Sequence, residues 1–276
     1  MPALQWARRS LTAVAPLGTR RRRNARRPDE DADGTPVELS EEEARPLLQS
    51  GEVTGGYRIQ WGSNYTFLVR IDAGHGTYLR AVYKPRDGER PLHDFPSHSL
   101  YKREYATFVV SRALGWPNVP LTLIREGPYG IGSMQQYIES DPEITYFNLI
   151  EDKSDDLQRL AVFDLLVNNA DRKAGHCLLG DDGRVWSIDH GLTFHPIMKL
   201  RTVMLEFWGQ PIPQHLLADL ESFLKRTESV ATILPELADA LAPGEIQALI
   251  ERLERMLDNP VLPTLDPYRD VPWPWV

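Results

Sequence analysis

Cysteine occurs once in this chain, at Cys177, so no disulfide can hold the fold, and a reducing, cytoplasmic setting is expected. Long apolar runs are missing as well. None reaches the roughly 18 residues that a membrane span needs, so no stable membrane insertion is expected. Lysine is scarce, six of the 31 basic residues, a skew toward arginine that fits a GC-rich bacterial genome. Acidic residues are absent before Asp29, while the same stretch holds eight arginines. The rest of the chain carries 23 bases against 39 acids, a charge of about −16. A body that acidic repels nucleic acid and anionic membrane surfaces, which excludes nucleic acid as its partner. Residues 1–36, dominated by arginine with proline and glycine nearby, read as a disordered leader with no signal-peptide apolar core behind the charges.

What is present is ordinary for a folded chain of 276 residues: 42% hydrophobic and 25% charged. Ser40 followed by Glu41, Glu42 and Glu43 predicts a short capped helix. Three β-rich runs come next, Tyr57 to Trp61, Tyr65 to Ile71 and Thr77 to Lys84, separated by Gly62-Ser63-Asn64 and by a turn through Gly74 and Gly76. They predict an antiparallel meander closed by Pro85. A helix is expected over residues 99–114, stopped by Gly115, and then strands over 121–124 and 131–138. Beyond about Asp141 the pattern turns helical: a helix over 157–168 that is apolar almost all round, and amphipathic helices over 213–226 and 243–257. The Pro/Trp-rich residues 260–276 predict an irregular tail.

Polar groups crowd the joints of the apolar segment Val162 to His195. Asn168, Asn169, Asp171, Arg172, Lys173 and His176 follow the helix, and Asp189 and His190 follow a hairpin. Buried polar groups cost free energy unless partnered, so the cluster is a satisfied structural network or a site. A two-residue turn at Asp182-Gly183 would set His176 opposite Asp189 and bring Asp171 to the same edge. Gathered carboxylates need a cation between them, and oxygen ligands suit magnesium. Asn168 and Asn169 read as helix-end caps, and Asp164 as a buried carboxylate bonded to backbone or to Arg172. Asp171 and Asp189 sit at loop ends, where reacting groups collect. In the first half, Lys84 ends a strand ahead of a helix bearing Glu104. A lysine held by a glutamate presents a fixed cation to phosphates, and the Gly62-Ser63-Asn64 loop offers backbone donors to the same group.

With these residues in view, the chain resembles the protein-kinase-like superfamily. Within it, the chain is similar to phosphatidylinositol 3- and 4-kinases and HipA-type kinases, and resembles an actinobacterial branch of that group. FDLLVNNADR (Phe163 to Arg172) and SIDHGLTF (Ser187 to Phe194) carry the resemblance. It implies an α+β, two-lobed kinase-like fold: a small β-rich N-lobe over residues 37–140 and a mostly helical C-lobe over 141–259. It implies ATP as substrate and Mg or Mn as metal. Asp171 and Arg172 would form the catalytic loop, with Asp171 orienting or deprotonating the acceptor hydroxyl. Lys84, held by Glu104, would contact phosphates. Asp189 would bind metal, and Gln135, Gln136 and Tyr137 would lie at the hinge where backbone meets adenine. The family places Asn five residues after the catalytic Asp. Here that residue is His176, a nitrogen ligand better matched to manganese or zinc.

Three readings follow. The first is an ATP-dependent phosphotransferase acting on a hydroxyl-bearing small molecule, protein or lipid. The second is a nucleotide-binding pseudokinase. The third is a metal-dependent phosphoesterase built on Asp171, His176, Asp189, His190 and His195, which leaves Lys84 and Glu104 without a task. After Asp189 only Lys199 and Arg201 supply positive charge before Glu206. That argues against an inositol lipid and for a small molecule or a protein hydroxyl.

Overall fold

The computed structural model describes residues 34–60, 63–228 and 234–275. A six-stranded sheet forms the first part. Its strands are β1 (Thr35–Pro36), β2 (Val53–Ile59), β3 (Thr66–Gly74), β4 (Thr77–Pro85), β5 (Thr122–Gly127) and β6 (Gly130–Gln136). The order is β2-β3-β4-β6-β5, all antiparallel, with β1 pairing parallel to the start of β4. The β2–β3–β4 meander follows the alternation of its residues: along β4, Tyr78, Leu79, Ala81 and Tyr83 are buried. The β3–β4 turn needs left-handed backbone, with φ of 82° at Gly74, 54° at His75 and 73° at Gly76. Two of those three positions are glycine, which adopts that region at little cost.

Helix α1 (Glu41–Ser50) starts at Ser40 in a reciprocal capping box with Glu43, as the sequence predicts. Glu41 reaches Arg112 at 2.6 Å and ties α1 to α2 (Leu100–Leu114). Helix α2 ends on Gly115 at φ 74°. It is buried on nearly every face, because it packs against the sheet on one side and the helical part on the other. That position explains its buried charges. Glu104 faces Lys84 of β4, and Arg103 is fully buried against Glu245.

The helical part contains α3 (Tyr146–Leu149), α4 (Ser154–Val167), α5 (Gln214–Glu228), α6 (Leu234–Ala240) and α7 (Pro243–Asp258). Helix α4 is buried from Leu160 to Val167, a stretch that is apolar except for Asp164. At about 1.5–3 kcal/mol for each buried large apolar side chain, it is a chief contributor to the core. Asn168 ends it in the left-handed region, φ 54°, as a capping residue. A loop and a single 3₁₀ turn (Ala174–His176) lead into the hairpin β7 (Cys177–Leu179) and β8 (Val185–Ser187). Residues 260–275 contain no helix or strand, yet Leu262 is buried and Trp275 accepts a hydrogen bond from Ala174 N at 2.8 Å.

The hairpin corrects one expectation. Cys177 pairs with Ser187, Leu178 with Trp186 and Leu179 with Val185, one residue out of the expected register. The cause is the turn. Gly180 N bonds Arg184 O at 3.0 Å, Gly183 N bonds Gly180 O at 2.9 Å, and Gly183 stands at φ 74°. This is a three-residue loop ending in a left-handed glycine, and it moves the ladder by one. His176 therefore faces Ile188, whose N–H it accepts at 3.1 Å.

Candidate active site

A cleft of about 400 Å³ lies between the sheet and the α4–hairpin region. From the sheet and its flanking loops come Ser63, Asn64, Lys84, Gln135, Gln136 and Tyr137, and from α2 comes Glu104. Asp171, His176 and Asp189 supply the opposite wall. Ten of the sequence-predicted site residues thus share one cavity. Two do not. Gly62 lies outside the described residues. Arg172 lies beneath the cleft, fully buried.

Lys84 is the hub. Its ammonium pairs with Glu104 and reaches Asp189 Oδ1 at 2.8 Å. These two carboxylates hold it firmly protonated despite its burial. Glu104 also accepts His190 N at 3.0 Å, so one side chain anchors both the lysine and the Asp189 segment. Asp189 stands at φ 60°, a left-handed kink. The kink turns its carboxylate back toward His176 Nε2, at 3.3 Å. His176 and Asp189 therefore meet although the ladder does not pair them. Asp189 is half-exposed, and Lys84 holds its carboxyl far below the usual range. Burial pushes His176 down to about 4, so its imidazole is neutral at physiological pH.

Asp171 owes its position to Asn169, whose Oδ1 accepts Asp171 N at 3.0 Å. Asn169 Nδ2 in turn donates to Asp164 at 3.0 Å, and the same carboxylate takes Arg172 in a bidentate pair at 2.7 and 2.9 Å. Arg172 continues to Ile188 O at 3.0 Å and to His190 Nε2 at 2.8 Å. Its expected catalytic role is corrected: a guanidinium with no exposed surface touches no substrate, and it is a positioning residue that locks the Asp171 loop to the Asp189 segment. Burial raises Asp171 to about 6, against the pull of Lys173, whose ammonium lies at 3.3 Å; the charge of Asp189 adds to the rise.

His190 is fully buried, its Nε2 against Arg172 and the Ser187 hydroxyl, both at 2.8 Å. Arginine only donates, so this nitrogen accepts, and burial keeps the ring neutral. His195 stands outside the cleft, edge-on to Phe95. Neither histidine joins Asp171 and Asp189, which removes the ligand set of a metal phosphoesterase. Among the described residues no group of three or more His, Cys, Asp or Glu side chains could hold a metal ion.

Gln135, Gln136 and Tyr137 line the cleft as expected, but some of their donors are already engaged. Gln136 N donates to Leu121 O at 2.8 Å and Tyr137 N to Arg80 O at 3.1 Å, so these donors are committed to neighbouring strands. The side-chain amides are engaged too, Gln135 with Thr122 and Gln136 with Leu39 O. Ile138 N is the next donor along the chain, and it has no acceptor among the described residues. Sequence reasoning missed Ile138 and the apolar walls Val82, Leu178 and Ile188. The signal for Val82 was the alternation of β4, since Val82 and Lys84 share a face.

No family model matches the sequence. The chain is 39% identical over 264 residues to Protein Rv2133c of Mycobacterium tuberculosis, a match covering 83% of this chain and 94% of that protein. The chain belongs to the same family. Among solved structures, the Golgi casein kinase with Mn/ADP bound matches with a TM-score of 0.53 and 17% identity, over 78% of this chain and 74% of that one. A second crystal structure of the Golgi casein kinase gives 0.50 and 16%, over 80% and 75%. These likenesses show the fold of this member of the Rv2133c family, a kinase-like α+β architecture with an antiparallel sheet and a helical part. No helix among the described residues is long and apolar enough to cross a membrane.

Proposed function

We propose that the protein is an ATP-dependent phosphotransferase that moves the γ-phosphoryl group to a hydroxyl, as the resemblance of its Asp-Arg and Asp-His-Gly segments to phosphatidylinositol kinases implies. The observation that carries this reading is the ammonium of Lys84 joined to both Glu104 and Asp189 across the cleft, with Asp171 on the same wall. A fixed cation of this kind suits phosphates, which compete with Asp189 for it. Adenine would lie between Val82 and the Leu178 and Ile188 side chains, with Ile138 N as donor, and Ser63 and Asn64 would border the phosphates. A neighbour in fold holds Mn/ADP, and the donors here fit a divalent cation, Mg or Mn. Asp189 and neutral His176 would hold it, with the remaining positions filled by phosphate and water oxygens. Such an ion neutralises charge on the phosphates.

The acceptor oxygen bonds to the γ-phosphorus, and the bond from that phosphorus to the bridging oxygen breaks with its electron pair leaving on ADP. The hydroxyl proton passes to Asp171. A carboxyl raised to about 6 by burial is ionised at neutral pH and still basic enough for that task. The alternative, a nucleotide-binding pseudokinase, rests on His176 standing where the resembled kinases carry Asn. Turnover of γ-labelled ATP with manganese and a metabolite extract separates the two. The expected result is transfer of label, reduced by about 10²–10⁴ in Asp171→Ala while ATP binding persists. Equal turnover in Asp171→Ala contradicts the assignment, and no turnover with intact ATP binding favours the pseudokinase.

A further inference from the structure

A second cavity, about 850 Å³, borders the Asp171 loop and shares Leu92 and Leu192 with the first cleft. Its volume is that of a small-molecule site. Its walls are mostly apolar: Leu92, Phe95, Leu192, Leu200 and Leu265. Met198 lies on its rim, 49% exposed, beside Ile197 at 70%. The charges in these walls are nearly all matched. Lys199 pairs with Asp94 at 2.9 Å, Arg269 holds Asp270 at 2.8 and 2.9 Å, and exposed His93 stands 3.9 Å from Asp94.

Arg201 is the exception. Its side chain is exposed and makes no hydrogen bond or ion pair among the described residues, and Asp270, on which its charge acts, is held by Arg269. Its backbone fixes where it stands. Arg201 N donates to Asn169 O at 3.0 Å, Arg172 N to Arg201 O at 3.0 Å, and Val203 N to Arg172 O at 3.1 Å. This is a short parallel pairing in which Thr202 matches Arg172. Both of those side chains are fully buried. Their chain neighbours are on the open side: Arg201 lines this cavity, and Asp171 lines the adjoining cleft. An exposed guanidinium without a hydrogen bond or ion pair among the described residues thus lines an apolar cavity that meets the Asp171 cleft at Leu92 and Leu192.

We propose that this cavity is the acceptor site, and that it takes a small amphiphile: an apolar body against Leu92, Leu192 and Leu265, and one carboxylate or phosphate on Arg201. The amphiphile also carries the hydroxyl that Asp171 receives. The proposal rests on the phosphotransferase reading for the role of Asp171. Guanidinium matches such an anion in bidentate geometry. The acidic body of the protein argues for a freely diffusing molecule over a lipid held in an anionic membrane.

The test uses the full chain with two fluorescent probes, anilinonaphthalene sulfonate and its uncharged counterpart N-phenylnaphthylamine. Both are titrated into wild type, Arg201→Gln and Met198→Glu. Both substitutions fall on exposed side chains and should fold. Wild type should bind the sulfonate at one site about tenfold more tightly than the neutral probe, the factor for one charge-assisted hydrogen bond. Arg201→Gln should erase that preference, and Met198→Glu should weaken the sulfonate alone. ATP-induced thermal stabilisation, measured on the same three proteins, should be equal. A preference that survives Arg201→Gln overturns the proposal. So does Arg201-dependent sedimentation with phosphatidylglycerol vesicles, which would assign the site to a membrane lipid. If the probes behave as expected but ATP stabilises none of the three, the phosphotransferase reading falls while the anionic-amphiphile site stands.

Discussion

Replacing Arg172 with methionine removes one half of a fully buried ion pair. Asp164 would keep a single hydrogen bond, from Asn169 Nδ2 at 3.0 Å, and no route to solvent. Ile188 O and His190 Nε2 would each lose a donor. Breaking such a pair one-sidedly costs about 3–5 kcal/mol, since an uncompensated charge stays buried. In a folded body of this size each kcal/mol moves Tm by about 2–4 °C, so Arg172→Met should lower it by roughly 6–20 °C. The double variant Asp164→Leu with Arg172→Met removes both charges at once. It should be more stable than the single variant and should still bind ATP, because neither residue lines the cleft. Urea denaturation followed by circular dichroism reads both. A single variant within about 1 kcal/mol of wild type would refute the argument that this pair locks the Asp171 loop. A double variant that loses more stability than the single one would do the same.

The raised pKa of Asp171 sets a pH dependence. Its turnover should climb as pH rises through about 6 and then level off. Stability runs the other way: the folded carboxyl binds its proton more tightly than the unfolded one, so stability is lost as pH rises from about 4 through 6. Asp171→Asn should therefore melt higher than wild type at pH 7 and match it below about pH 4, as a set of melting curves would show. His176 is shifted downward, so the folded state loses stability as pH falls from the ordinary histidine range toward about 4. His176→Asn should soften that acid loss and shrink the preference for manganese over magnesium in turnover, and an unchanged metal preference would remove His176 from the metal site.

The meander strands were legible because burial alternates along them, and α1, α2 and α4 because their ends carry Ser40, Gly115 and Asn168. The pairing of Lys84 with Glu104 was legible from order alone: a strand-end lysine followed by a helix with one acid on its sheet-facing side. Short elements were not. Strand β1 has two residues and α3 four, too few to display a period. The hairpin register was lost because Asp182-Gly183 satisfies a two-residue turn and also the end of a three-residue one. Arg172 read as catalytic because it follows Asp171 in Asp-Arg; its bond to Asp164, one of two partners the sequence allowed for that carboxylate, is what the fold shows. Arg201 was visible as a sparse charge. Its place next to the Asp171 segment depends on a parallel pairing of Arg172 with Thr202, thirty residues apart in the chain.

The central claim is that Lys84, held by Glu104 and Asp189, is the phosphate contact of a nucleotide site. Calorimetric titration of ATP with manganese into wild type, Lys84→Ala and Asp189→Ala tests it most directly. The account predicts saturable one-to-one binding to wild type, and weakening by at least about tenfold in each variant, the loss of one charged contact. Equal affinity in wild type and Lys84→Ala, or no heat in wild type at millimolar nucleotide, would contradict it.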